Sequence, residues 1–314
     1  MTGTRERNRA TQLVVLSGKG GTGKTTVVGS FAALAERPVL ADADVDAADL
    51  HLILSPTLRH AEDFTGPLRP EFDARLCTAC GLCVEKCAFG ALKMSETPAP
   101  TAEGGCATRS VPSLDSIACE GCALCSFVCP SRAITMRRVV AGQWFVSDTR
   151  FGPLVHARLG VAQENSGKLV TLVRTRAAEL AEDRGAAWLL IDGSPGIGCP
   201  VIASLAGADA ALIVTEPTLS GKSDLERVAR LAAHFRIPVL LCINKWDINE
   251  EISSQIEAEA GGSRVVGRIP YDPAVPRSIV EGIPLVEHDD GPASRAIRTV
   301  WRRLVQILNR SDGQ

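Results

Sequence analysis

The sequence predicts an α/β protein, a doubly wound and mostly parallel sheet interrupted by a small α+β insert. Three observations predict it. Short apolar runs alternate with helical stretches at both ends of the chain, a glycine-rich loop joins the first run to the first helix, and a central stretch gathers eight of the 11 cysteines into two tandem runs. A length of 314 residues and an apolar content of 45% suffice for one large domain or two modest ones. With 34 Lys+Arg against 36 Asp+Glu, the net charge of −2 gives no large electrostatic footprint for nucleic acid. Asp209 interrupts the best candidate for a transmembrane run, residues 201–214. The apolar run 13–16 leads into the glycine loop and not to a cleavage site, so no export signal is read and a cytoplasmic location is expected. An odd number of cysteines in such a chain argues for metal ligation in a reducing compartment over disulfides.

In chain order, a strand is expected at 12–17, a flexible loop at 18–23, a helix at 24–35, and a second strand at 37–41 that runs into Asp42 and Asp44. This alternation implies right-handed crossovers and a parallel sheet covered on both faces. The insert is expected at 64–148, splitting the larger domain into 1–63 and 149–314. Cys, Pro, Gly and short polar pieces dominate it, and 97–110 reads as a loop joining two similar halves. A helical stretch at 169–182 follows Asn165-Ser166-Gly167-Lys168, which fits an N-cap with a solvated lysine, or an anion site. Strand-length runs recur at 188–191, 210–214, 239–243 and 265–269, with helices at 220–235, 249–260 and 294–309. The last helix sets Ile297, Val300, Trp301, Leu304 and Leu308 on one face, as in a helix packed on a core; a membrane-surface helix shares that pattern.

Gly18-Lys19-Gly20-Gly21-Thr22-Gly23-Lys24-Thr25-Thr26 satisfies G-x-x-x-x-G-K-[ST] between a strand and a helix, the context the pattern requires. Converging backbone N–H groups and the helix start favour phosphate oxygens, with Lys24 on the β/γ-phosphates and the Thr25 hydroxyl on Mg²⁺. Asp192 ends the run 188–191, the position of the acidic residue that serves the metal. The second lysine, Lys19, makes this loop resemble the deviant Walker A of the MinD/ParA family of dimeric ATPases, related to the nitrogenase iron protein. That resemblance implies a homodimer enclosing ATP, in which Lys19 reaches the partner's phosphates. Asp42-Ala43-Asp44 resembles the first switch of the family, which implies that Asp44 orients the attacking water and Asp42 meets Mg²⁺ through water; helix capping is the other use of such residues. Asp192-Gly193-Ser194-Pro195-Gly196-Ile197-Gly198-Cys199 resembles the second switch, D-x-P-P-G-x-G-D, from which Ser194 and Cys199 depart. Asn244-Lys245-Trp246-Asp247 reads N-K-x-D, the guanine signature, yet in MinD-like proteins this Asn contacts adenine, so ATP is expected over GTP. The catalytic candidates are thus Lys19, Lys24, Asp44 and Asp192. Gly18, Gly20, Gly21, Thr22, Gly23, Lys24, Thr25, Thr26, Asn244 and Asp247 are the candidate nucleotide contacts.

Cys77-x2-Cys80-x2-Cys83-x3-Cys87 and Cys119-x2-Cys122-x2-Cys125-x3-Cys129-Pro130 each reproduce the bacterial ferredoxin spacing. Zinc also takes four thiolates, but from paired knuckles and not from two tandem runs of four. The resemblance to a two-cluster ferredoxin implies one 4Fe–4S cluster on Cys77, Cys80, Cys83 and Cys129, and a second on Cys119, Cys122, Cys125 and Cys87. Ala88 departs from the usual proline after the last cysteine, and Ala91-Leu92 and Ala133-Ile134 follow the runs at matching offsets. Cys106 reads as incidental and Cys242 as a core residue; Cys199 fits a turn, or a third, intersubunit cluster.

The whole chain resembles MinD-superfamily ATPases with an inserted ferredoxin domain, Thr215-Glu216-Pro217 and Ile269-Pro270-Tyr271-Asp272 included. The resemblance implies ATP, Mg²⁺ and two 4Fe–4S clusters, slow hydrolysis and a switching homodimer. The first expectation is a nucleotide-driven switch coupled to electron transfer to a redox partner. The second is a cluster assembly or carrier protein serving a cluster-acceptor partner, and the third a spatial-organising ATPase.

Overall fold

The computed structural model describes residues 9–100, 106–160, 166–260 and 263–311. Its strands are β1 (Thr11–Ser17), β2 (Pro38–Asp42), β3 (Thr57–Phe72), β4 (Leu92–Pro100), β5 (Cys106–Leu114), β6 (Ile134–Asp148), β7 (Pro153–Leu159), β8 (Trp188–Pro195), β9 (Ala210–Thr215), β10 (Val239–Asn244) and β11 (Arg264–Ile269). The helices are α1 (Lys24–Leu34), α2 (Leu50–Leu54), α3 (Leu82–Glu85), α4 (Leu124–Phe127), α5 (Ser166–Asp183), α6 (Cys199–Leu205), α7 (Leu219–His234), α8 (Glu250–Ala258), α9 (Ala274–Val280), α10 (Leu285–His288) and α11 (Pro292–Ser311). The chain forms two units. One holds the described residues up to Glu62, Trp144–Arg158, and those from Ser166 onward; the other holds Asp63–Gln143 with Leu159 and Gly160.

In the first unit the sheet order runs β11-β10-β9-β1-β8-β2-β7, with every one of these neighbours parallel, and β6 and β3 follow at the edge. The central strands are apolar at nearly every position because helices cover both faces of the sheet; in β9 all six residues are buried. The jump from β1 to β8 on one side and β9 on the other is a reversal of strand order, and at such a point a crevice opens beyond the carboxyl ends of the strands. Helix α11 buries Ile297, Val300, Trp301, Leu304 and Leu308 in the core, where Trp301 packs on Phe31 and Trp188. Its apolar face therefore lies within the fold. Among the described residues no helix is long and apolar enough to cross a membrane.

In the second unit, matching positions of the two halves adopt matching backbone. Ala79 and Gly121 both have positive φ, 56° and 69°, and so do Gly81 and Ala123, 72° and 63°, ahead of the single-turn helices α3 and α4. Reciprocal hydrogen bonds tie the halves: Asp73 N donates to Ala133 O and Asp115 N to Ala91 O, each at 2.8 Å. Ala91, Leu92, Ala133 and Ile134 are buried between them. The loop expected at 97–110 is corrected here. β4 and β5 pair antiparallel in register from Leu92↔Leu114 to Pro100↔Cys106, so most of that stretch is ladder. The prolines that suggested a loop, Pro98 and Pro100, fall at alternate positions of a two-stranded ribbon, where a missing N–H on the outer side costs no bond.

Candidate functional site

The loop between β1 and α1 lies at the carboxyl edge of the sheet. Gly23 caps α1 with φ 86°, a left-handed conformation, and a Cβ there would stand 2.3 Å from Asn244 Nδ2. Glycine is thus required twice over. Asn244, at the end of β10, donates from Nδ2 to Thr22 O at 2.7 Å and pins the loop to that strand across the intervening β9.

Lys24, the first residue of α1, is 6% exposed. Its Nζ donates to Asp192 Oδ1 at 2.9 Å and to Asp44 Oδ2 at 3.3 Å. Burial by itself disfavours the charged amine, but Asp192 and Asp44 outweigh it and hold the amine above the ordinary lysine range. Asp42 is fully buried; its two oxygens accept from Asp44 N at 3.2 Å and Leu50 N at 3.0 Å. Burial and the adjacent Asp192 push its carboxyl well above the usual range, and burial raises Asp44 against the pull of Lys24. Two buried oxygens here have no partner: Asp192 Oδ2 and Thr22 Oγ1.

These residues border a cavity of about 580 Å³, the size of a small-molecule site. One wall is Gly20, Gly21, Thr22, Gly23, Lys24, Thr25 and Thr26 with Asp44; the other is apolar, with Leu52, Ile53, Val275, Ile279, Leu285 and Ile297. Asn244, Lys245, Pro270, Tyr271 and Asp272 line it as well. Of the residues expected to serve the nucleotide, Gly18, Lys19, Asp42, Asp192 and Asp247 stand outside the wall itself. Asp247 Oδ1 accepts from Tyr271 N at 2.7 Å, which engages one oxygen of the carboxylate that guanine recognition would use. Ser194, where the second switch departs from its family pattern, donates from Oγ to Ala43 O at 2.7 Å and joins the two switch segments.

Sequence reading gave Glu216 no role, although it noted the segment. The structure sets it between two lysines, with Lys19 Nζ 3.6 Å from Oε2 and Lys245 Nζ 2.6 Å from Oε1. Lys19 is thereby held beside its own loop. The only sequence signal for this was the position of Glu216 just past a strand end.

In the second unit, Cys77, Cys80, Cys83 and Cys129 line one small cavity with Phe72, Met94 and Ile134. A second is lined by Cys119, Cys122, Cys125 and Cys87 with Phe89, Leu92, Leu124 and Met136. Each cavity takes three thiols from one run and the fourth from the other. Cys80 and Cys122, at equivalent positions, are both exposed. Burial pushes the Cys83 and Cys125 thiols up, whereas at Cys129 hydrogen bonds from Ser131 and Ala133 overcome burial and hold the thiol below its usual value. Arg69, buried, donates to the carbonyl of Cys119 and anchors the second run. Among the described residues no three His, Cys, Asp or Glu side chains converge closely enough for a single ion. Four thiols spread around an apolar-walled cavity suit a polynuclear cluster, in which each iron takes its own sulfur.

Cys242 is fully buried in β10, its thiol pushed up to about 12 by burial. Cys199 is exposed at the start of α6. Ser166 begins α5, while Asn165 lies outside the described residues.

Over 95% of the chain, a protein of Methanocaldococcus jannaschii described as uncharacterized is 27% identical across 97% of its own length. An iron-sulfur cluster carrier protein of Pyrococcus abyssi is 28% identical over 140 residues, 40% of this chain and 48% of that protein. The cell division ATPase MinD of Pyrococcus furiosus shares the fold, with a TM-score of 0.55 at 16% identity over 95% of this chain and 99% of that one. MinD of Pyrococcus horikoshii complexed with Mg-ADP gives 0.54 at 15% identity, covering 95% and 97%. The family model described as CobQ/CobB/MinD/ParA nucleotide binding domain matches residues 13–285, and the chain belongs to that family.

Proposed function

We propose that this chain is an ATP-hydrolysing, dimeric switch protein whose second unit is a ferredoxin-like insert holding two 4Fe–4S clusters, and that nucleotide turnover controls electron transfer to a protein partner. The observation that carries this reading is the pair of cavities, each bordered by three thiols of one run and the fourth of the other. Cys77, Cys80, Cys83 and Cys129 would hold one cluster, and Cys119, Cys122, Cys125 and Cys87 the other. Bound clusters supply one-electron transfer.

At the nucleotide site, backbone N–H groups from Gly20 to Thr25 receive the phosphates, and Lys24 neutralises them from a position already fixed by Asp44 and Asp192. Thr25 serves Mg²⁺ directly. Asp42, each of whose oxygens accepts one backbone hydrogen bond and keeps a second lone pair, and Asp192, whose Oδ2 is unpartnered, would meet the ion through water. Asp44, in the wall, orients the attacking water. Asn244, which lines the cavity, meets the adenine of ATP. Lys19 leaves Glu216 to reach the phosphates of a second copy. Beyond Asp44 the chain passes through α2 into β3, which runs unbroken into the second unit, a covalent route from switch to thiols.

Anaerobically purified protein is expected to be brown with about eight irons per chain, and to hydrolyse ATP in a Lys24-dependent manner. Iron-free protein that is fully folded would reject the cluster assignment. The partial match to an iron-sulfur cluster carrier protein favours one second reading, in which the clusters are cargo. Mixing with an apo-acceptor and a chelator separates the two: retention supports resident redox centres, and rapid transfer accelerated by ATP supports the carrier.

A further inference from the structure

The two halves of the second unit form the same turn after their last cysteines, and there one side chain differs. Gly90 N donates to Cys87 O and Arg132 N to Cys129 O, each at 3.2 Å, and Gly90 and Arg132 both have positive φ, 62° and 51°. Phe89 and Ser131 therefore occupy equivalent positions, each just past the cysteine that its run lends to the other's cavity. Ser131 lines the cavity of Cys77, Cys80, Cys83 and Cys129. Phe89 lines that of Cys119, Cys122, Cys125 and Cys87, and is exposed. Ser131 Oγ lies 3.6 Å from Cys129 Sγ, and the same sulfur accepts from Ala133 N at 3.3 Å. The phenylalanine ring has no polar hydrogen to offer Cys87.

A cysteine that ligates iron does so as a thiolate, without a proton of its own, so toward Cys129 the Ser131 hydroxyl can act only as donor. Hydrogen bonds to ligand sulfurs stabilise added negative charge and raise a reduction potential; an apolar contact gives no such relief. Nearby charges do not reverse that order. Among the described residues Glu120 is the one charged side chain in the wall of the second cavity, and it disfavours an added electron there. Buried Arg69, on the Cys119 carbonyl, acts in the opposite sense, and the wall of the first cavity holds no charged side chain. On the cluster assignment proposed above, we infer that Ser131 makes the set Cys77, Cys80, Cys83 and Cys129 the more easily reduced of the two. Each set takes up one electron from a one-electron donor, with no bond made and no proton required. Transfer between the sets then runs downhill toward Cys129. Ser131 is a positioning residue, acting through the Cys129 sulfur.

The test is potentiometry of the anaerobic, iron-replete full chain, poised with dithionite and read by electron paramagnetic resonance. The wild type is expected to show two one-electron midpoints. Ser131→Ala should shift the upper equilibrium toward the oxidised side by at least threefold, about 30 mV for one electron, and leave the lower midpoint in place. Ser131→Thr, which keeps the hydroxyl, should restore the upper one. Phe89→Ser should raise the lower midpoint by as much. Roughly eight irons per chain certify each variant, and if Ser131→Ala loses iron Phe89→Ser decides alone. An unmoved midpoint in either iron-replete variant, a shift of the lower midpoint in Ser131→Ala, or coincident midpoints in the wild type would overturn the inference. Folded protein without iron would reject the cluster assignment and this inference with it, whereas full iron content with no response to MgATP would reject the coupling alone.

Discussion

Lys24 Nζ lies 2.9 Å from Asp192 Oδ1, and the two side chains are among the most deeply buried charged groups of the nucleotide-binding unit. The contact joins the start of α1 to the interior of β8, and Asp44 completes it from just beyond β2. Substitution of Lys24 by Met leaves Asp42, Asp44 and Asp192 facing one another without a cation. Removing one partner of a buried pair costs about 3–5 kcal/mol. Lys24→Met is therefore expected to lose that much unfolding free energy at neutral pH, less under acid where Asp42 and Asp44 accept protons, and to bind no ATP by calorimetry. Undiminished affinity would remove Lys24 from the phosphate site.

His156 carries a pH dependence of its own. Burial, aided by the charges of His51 and Arg158, pulls its ring from 6.5 down to about 4. The unfolded chain then binds the proton more readily, so the stabilisation is complete above pH 6.5 and is lost as pH falls toward 4. His156 is half-buried, so the loss is discounted to about 1–2 kcal/mol. Chemical denaturation of wild type and His156→Gln between pH 7 and 4 checks this; parallel curves would show that His156 does not titrate in this window.

Gly23→Ala combines a left-handed backbone with a Cβ placed 2.3 Å from Asn244 Nδ2. Strain of this kind costs about 1–3 kcal/mol, and the loop must shift to relieve it. Expected are a lower melting temperature and at least a tenfold loss of nucleotide affinity, whereas Gly20→Ala, which meets nothing within 4 Å, should leave the fold intact.

The thiol cavities distinguish ligand sharing between the runs from ligation within each run. On the proposed assignment, Cys129→Ser disturbs the cluster of Cys77, Cys80 and Cys83, and Cys87→Ser the other. Electron paramagnetic resonance of the two reduced variants checks it. The lesion in Cys129→Ser should match that of Cys77→Ser; a match to Cys119→Ser instead would assign each run to its own cluster.

Much of this site was legible because its chemistry lies in contiguous runs. The phosphate loop from Gly18 to Thr26 and the two cysteine runs are local motifs, and the apolar β9 and β10 need no context to be read as buried strands. Other parts depend on tertiary placement. β3 carries Gly66, Pro67 and Pro70, which break any strand pattern but are tolerated at the edge of the sheet. α3 and α4 are single turns set by left-handed residues before them, too short for periodicity. Glu216 acquires its role from Lys19, far away in sequence, and only its position just past a strand end hints at it.

Whether nucleotide governs the clusters is decided by a potentiometric titration of the anaerobic, iron-replete protein, followed by electron paramagnetic resonance with and without MgATP. A shifted midpoint potential or line shape is expected in the wild type and absent in Lys24→Met. Identical potentials and spectra in both nucleotide states of the wild type, at full iron content, would contradict the coupling.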